Sequence, residues 1–176
     1  MTETILGTGA FAVLVLFEIQ KCRSTRQNTT AVNPWFLLGC LLLTVSLVVR
    51  AVNCGTASGL QVVAGTVVLA AGMVFYASVL GVALGAKQQG YLRDRAESEV
   101  SRQGMYAKVR HPGVWSFLVC AAGYGLLVPR GLGLAMWLTL LNLGYTVLQD
   151  RYFFPVYLKG YEAYKKEVPF FIPRRR

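Results

Sequence analysis

Residues 104–131 read GMYAKVR-HPGVWSFLVCAAGYGLLV-PRG. The stretch opens on polar and basic residues and contains the only histidine of the chain, His111. From Pro112 to position 128 there is no charge, and Pro129-Arg130 then interrupts the apolar run. A second uncharged run, 131–148, follows and ends at Gln149-Asp150-Arg151. Two apolar runs of nearly equal length joined by a two-residue turn predict a tight antiparallel hairpin. Its far ends then lie side by side. One end carries Tyr106, Arg110 and His111; the other carries Gln149, Asp150 and Arg151. Ionisable groups at the edge of apolar spans are costly to place, so their convergence marks a candidate site.

Working outward, the 176-residue chain is 55% hydrophobic and 15% charged. That balance is wrong for a soluble domain and right for a multi-pass membrane protein. Further uncharged segments run over 34–49 and 59–86, with a shorter one over 4–17 that is followed by Glu18. A hydrocarbon core of about 30 Å takes about 20 apolar residues, with about 17 as the lower limit. The 34–49 segment reaches that length only by running past Arg50 to Val52. The first segment has Glu3 and no basic leader, which favours a retained helix over a signal peptide. The expected fold is therefore an all-α integral membrane protein. It has about five transmembrane helices, a C-terminal helical hairpin and a cytosolic amphipathic tail helix. Residues 1–86 form a three-helix scaffold, and 87–176 form the chemically informative part of one structural domain.

The net charge of +10 would suggest nucleic acid in a soluble protein. Here topology accounts for it. With five spans and the N-terminus outside, every lysine and arginine except Arg50 and Arg130 falls on the cytoplasmic side, as the positive-inside rule requires. Nucleic-acid binding is set aside on that ground, and Asn28-Thr29-Thr30, a glycosylation sequon, falls on the wrong side for modification. The four cysteines have no metal-ligand spacing, so neither a metal site nor a disulfide framework is expected. Gly65, Gly72, Gly81 and Gly85 punctuate the third apolar run. Gly81 and Gly85 have the small-xxx-small spacing that lets membrane helices approach. Packing inside the bundle is the expected use of that face, and homodimerisation the alternative. Gln88 to Tyr91 reads either as the rim of a pocket or as a helix end. In the tail, Tyr157, Tyr161 and Tyr164 fall at helical spacing on one face. That face either lies on anionic headgroups or closes over a pocket built by the hairpin.

Two stretches resemble a known family. Gly104-Met-Tyr106-Ala-Lys-Val-Arg110-His111-Pro112 is similar to the Gly-x-Tyr-x-x-x-Arg-His-Pro signature of the isoprenylcysteine carboxyl methyltransferases. Gly160-Tyr161-Glu-Ala-Tyr164-Lys-Lys-Glu-Val168-Pro169, with Ile172-Pro173 after it, resembles that family's closing Tyr-x-x-Tyr-Lys-Lys-x-Val-Pro motif. The likeness covers roughly residues 87–173. Val114 and Ser116 stand where the family has Tyr and Gly, and Gln149-Asp150 stands where it has a pair of glutamates. The wider superfamily includes phospholipid N-methyltransferases.

The resemblance implies an S-adenosylmethionine-dependent enzyme that methylates the C-terminal carboxylate of a prenylated cysteine. It implies a cofactor pocket lined by Gln88, Tyr106, Arg110, His111, Pro112, Tyr161 and Tyr164. Arg151 is then the expected clamp on the acceptor carboxylate, with Asp150 holding Arg151 or another basic residue, and Arg110 the alternative clamp. The implied partners are the bilayer and prenylated protein C-termini or another lipophilic acceptor. The implied location is the endoplasmic reticulum membrane in a eukaryote and the plasma membrane in a prokaryote. Methylation of a phospholipid amine, or a non-enzymatic membrane scaffold that keeps the fold, are the alternatives.

Overall fold

The computed structural model describes residues 1–23, 33–55, 57–91, 98–100 and 102–173, with side chains at all of these except 80, 82–91, 98 and 99. It is mostly helical. In chain order the helices are α1 (Thr2–Arg23), α2 (Pro34–Cys54), α3 (Gly59–Tyr91), α4 (Pro112–Leu127), α5 (Leu132–Leu148), α6 (Phe154–Tyr157) and α7 (Tyr161–Glu167). A 3-10 turn, Gly104–Ala107, precedes α4, and a π-turn, Gln149–Phe153, joins α5 to α6. Two parallel strands of two residues each, β1 (Ser98–Glu99) and β2 (Leu158–Lys159), add a small departure from the all-helical expectation.

Among the described residues, four helical stretches are long and apolar enough to cross a membrane: Thr2–Arg23, Pro34–Cys54, Gly59–Val79 and Leu132–Tyr157. α4 is equally apolar but has 16 residues, about 24 Å at 1.5 Å per residue, less than a full hydrocarbon core. The outward faces carry Leu37, Leu41, Val48, Val63, Val67, Val74, Met136 and Leu140 in the open. Such extended apolar exposure suits lipid rather than water.

Local sequence sets several boundaries. Asn33 caps α2, its Oδ1 accepting from the Trp35 N–H at 2.9 Å, with Pro34 in the first turn. α2 continues through Arg50 to Cys54, because Arg50 folds back on Glu3 (2.9 Å) and on the Arg130 carbonyl (2.6 Å). That second bond also holds the turn between α4 and α5, where Arg130 has φ +57, a conformation uncommon outside glycine. At Tyr91, α3 ends beyond the expected boundary at 86, so 87–91 is helix rather than loop.

The core is where α1 meets α5. Phe11, Leu14, Leu134 and Leu138 are buried together. Phe11 meets Phe117 and Tyr145 edge-on, the geometry that ring quadrupoles favour. α3 and α4 approach closely through glycine. A Cβ on Gly72 would lie 2.7 Å from Cys120 Sγ, and one on Gly123 would lie 2.7 Å from Leu69 Cα. Gly65 meets Leu127 in the same way. The small residues that pack this bundle are therefore Gly65 and Gly72, and not the expected Gly81, whose Cβ position has nothing within 4 Å. Gly85 lies outside the described side chains.

The tail departs from a single amphipathic helix. Tyr157 ends α6, the chain then extends to pair with β1, and Gly160 adopts φ +76 before α7 begins. The break sends the three tyrosines to different partners.

Candidate functional site

Asp150 is the centre of a buried cluster at one end of the molecule. It is 4% exposed and sits in the first turn of the π-segment. α4 and α5 pack against each other across their short turn, so the start of α4 lies beside the end of α5. His111, the residue that caps α4, places Nε2 2.9 Å from Asp150 Oδ1. Arg110 donates from Nε to Oδ1 at 2.8 Å and from Nη2 to Oδ2 at 3.2 Å. This is the two-pronged carboxylate pairing that a guanidinium favours. Tyr161 donates its hydroxyl to Oδ1 at 2.7 Å, and Lys165 Nζ stands 3.7 Å from Oδ2.

The same arginine ties down the tail. Arg110 Nη1 donates to the carbonyls of Lys165 (3.0 Å) and Val168 (2.7 Å), and the Arg110 backbone N–H donates to Pro169 (2.9 Å). Tyr164 donates to the Tyr106 carbonyl at 2.6 Å. Arg102 pairs with Glu167. Beyond α7, Phe171 stacks on Trp115 at 4.4 Å and 7°, and its carbonyl accepts from the indole N–H at 3.0 Å. The tail is thus a strap laid across the start of α4.

His111 is packed between two rings, Phe154 at 5.6 Å and Phe170 at 5.0 Å. Burial pushes its imidazole below the ordinary value of 6.5, against the pull of the Asp150 hydrogen bond. The ring is therefore neutral near pH 7, with its proton on Nε2 facing the carboxylate and a lone pair on Nδ1. Burial and the neighbouring Asp150 raise the Tyr161 phenol, and burial raises Tyr164 and Tyr106. All three hydroxyls are neutral at physiological pH.

The expected site residues are distributed as follows. Tyr106, Arg110, His111, Pro112, Asp150, Tyr161 and Tyr164 come together. Asp150 holds Arg110 rather than Arg151, which is exposed and makes no ion pair or hydrogen bond among the described residues. Gln88 lies on α3, and its side chain is outside the described set. Arg110 has four of its five N–H groups engaged within the protein, whereas Arg151, like Arg23 at the end of α1, is exposed with no ion pair or hydrogen bond among the described residues. Two polar groups of the cluster have no hydrogen-bond partner among the described residues: the Tyr106 hydroxyl and His111 Nδ1. Among the described residues no group of His, Cys, Asp or Glu side chains is arranged to hold a metal.

Glu18 was not foreseen as part of this region. It is 2% exposed and accepts from Tyr145 (3.0 Å), Gln149 (2.6 Å) and Tyr157 (2.9 Å). Its only sequence signal is an acid at the end of an apolar run. Trp115 and Phe171 also join the assembly without a prior signal, and Lys165 does so from within the closing motif. Further down, Leu118, Ala121, Ala122, Leu132, Ala135, Met136, Thr139 and Leu140 line an apolar groove of about 280 Å³ between α4 and α5. No protein-family model, curated protein or solved structure matches this chain.

Proposed function

We propose that the chain is a five-span, S-adenosylmethionine-dependent methyltransferase that acts on the carboxylate of a prenylated cysteine, with the Asp150 end facing the cytosol. One observation carries this reading. The two stretches that resemble the family's motifs lie about 50 residues apart in sequence, yet they close on each other through Arg110–Pro169, Tyr106–Tyr164 and His111–Tyr161 contacts. The donor set is compatible with a polar cofactor at this rim. The Tyr106 hydroxyl and His111 Nδ1 have no hydrogen-bond partner among the described residues, and Phe154 and Phe170 flank the imidazole.

S-adenosylmethionine supplies a sulfonium-bound methyl group, which an acceptor carboxylate attacks without any proton changing hands. The protein's part is then positioning and exclusion of water. Arg151, open and bidentate, orients the acceptor carboxylate. Arg110, Asp150 and Tyr161 hold the strap in place. The apolar groove between α4 and α5 sits at the depth where a lipid chain runs.

The test is equilibrium binding of S-adenosylhomocysteine to the purified protein in detergent, followed by turnover of a prenylcysteine carboxylate and of an ethanolamine phospholipid. Binding with turnover of the first acceptor is the expected result; turnover of the second alone moves the reaction to an amine. Removal of residues 160–176 should abolish binding while leaving the protein membrane-inserted. Absence of binding by the parent rejects the enzyme and favours a membrane scaffold, a reading that the mutual satisfaction of Arg110, Asp150 and Tyr161 also suits.

A further inference from the structure

Glu18 belongs to α1, outside residues 87–173 where the likeness lies, yet it is more deeply buried than Asp150. Its three donors come from a single continuous helical stretch of the C-terminal half. Tyr145 and Gln149 are four residues apart and share a face of α5. On an unbroken α-helix the next positions on that face are 152, 153 and 156, and residue 157 points elsewhere. The π-turn changes this. Pro155 has no N–H to give to the carbonyl four residues back, and its ring crowds that carbonyl. The ladder shifts, and the N–H of Phe154 bonds to Gln149 five residues back. One extra residue is absorbed, so Tyr157 occupies the place of 156 and meets Glu18 Oε2.

The same shifted segment orients Asp150. Gln149 and Asp150 are consecutive and point to different helices, Gln149 to Glu18 on α1 and Asp150 to Arg110 and His111 at the start of α4. Tyr157 packs edge-on against Phe154 at 5.7 Å, and Phe154 stacks on the His111 ring. Two physical routes therefore lead from Glu18 to the Asp150–His111 pair. One runs through the backbone of the π-turn, and one through Tyr157 and Phe154. Lys21, one turn further along α1, covers the outer face of Tyr157 with its ammonium 3.8 Å from the ring centre.

We propose that Glu18 is a positioning residue: by gathering Tyr145, Gln149 and Tyr157 it fixes the register of the π-turn and so aims Asp150 at Arg110 and His111. α1 then belongs to the functional unit rather than to a passive scaffold. This inference stands apart from the methyltransferase reading, and its test uses no cofactor.

His111 is the only histidine, so nitrogen-15 labelling of histidine gives the pair of ring-nitrogen signals of a single imidazole from the full chain in detergent. In the parent it should report a proton fixed on Nε2. Glu18→Leu, similar in size and without acceptors, should replace that pattern with the averaged signal of an imidazole exchanging between tautomers. Glu18→Gln keeps an acceptor for Gln149 and should retain the parent's pattern. Tyr157→Phe removes one hydroxyl and should shift the signal part of the way in the direction of Glu18→Leu. It decides the matter if Glu18→Leu fails to fold by circular dichroism. Arg50→Gln breaks an ion pair at the opposite end and should leave the signal unchanged. The inference is overturned if the Glu18 and Tyr157 variants keep the parent's pattern. It is overturned equally if Arg50→Gln changes the signal as they do, since the effect would then be general loosening.

Discussion

Removing the Arg110 side chain leaves the Asp150 carboxylate buried without its principal cation, and leaves two carbonyls of the strap, those of Lys165 and Val168, short of a donor. Breaking a buried pair from one side costs about 3–5 kcal/mol. Arg110→Ala should therefore lower thermal stability by about that much and release the tail to limited proteolysis. Arg151 is exposed and has no partner among the described residues, so Arg151→Ala should change stability by no more than about 0.5 kcal/mol. Its expected effect is on turnover. Loss of a charged hydrogen bond to the acceptor, about 1.5–3 kcal/mol, slows transfer by roughly ten- to a hundredfold. Arg151→Lys should not restore it fully, since a point charge does not replace a planar fork. A stability loss in Arg151→Ala, or none in Arg110→Ala, would reverse the two assignments. His111 adds a pH dependence. Its folded imidazole binds a proton less readily than the ordinary value of 6.5, so the unfolded chain takes up the proton first as pH falls. Stability is fully present above about pH 6.5, declines below it, and levels off once the folded ring is also protonated. Thermal midpoints measured from pH 8 to 5 should show that decline in the parent, and His111→Gln should flatten it.

At the scale of elements, the contact between α3 and α4 depends on missing side chains. Gly72→Val would drive a branched side chain into the Cys120 backbone, whose N lies 2.8 Å from the Cβ position. Overpacking of this kind costs about 1–3 kcal/mol. Gly81→Ala meets nothing and should stabilise α3 by about 0.5–1 kcal/mol through reduced backbone freedom. Equal thermal shifts in the two variants would contradict the packing described. The long apolar helices were legible because each is built on an uncharged run with polar residues toward its ends. The meeting of His111 with Asp150 was legible too, since two runs of matched length across a short turn bring their ends together. Sequence did not reveal where α3 stops, because Lys87 and Gln88 look like loop residues while the helix simply projects beyond its apolar part. Nor did tyrosine spacing reveal the broken tail: helical periodicity across 157–164 says nothing of Gly160 in a left-handed conformation. Glu18 was hidden for a different reason. A single acid has no pattern, and its three donors are more than a hundred residues away in sequence.

For the molecule as a whole, charge and contact agree on two distinct ends. Glu3, Arg50 and the Arg130 turn are joined at one end. Arg102, Arg110, Arg151, Lys165 and Lys166 lie at the other, on or beside the strap. Since basic residues are retained on the cytoplasmic side, the strap end should face the cytoplasm and Glu3 the opposite compartment. An odd number of crossings follows, which requires α4 to count as a span despite its length. On that reading its 16 residues would be extended by the 128–131 turn, and local thinning of the bilayer would accommodate the remaining mismatch at a fraction of a kcal/mol per Å. The check uses single cysteines after the four native ones are replaced. Thr2→Cys should react with an impermeant maleimide added outside intact cells. Ile172→Cys, 71% exposed on the strap, should react only after permeabilisation. Labelling of both from one side would mean an even number of crossings, with α4 re-entrant. Attachment of a glycan at Asn28 would invert the orientation. In either case the Asp150 cluster would no longer be placed to draw a polar cofactor from the cytosol and a lipid acceptor from the membrane.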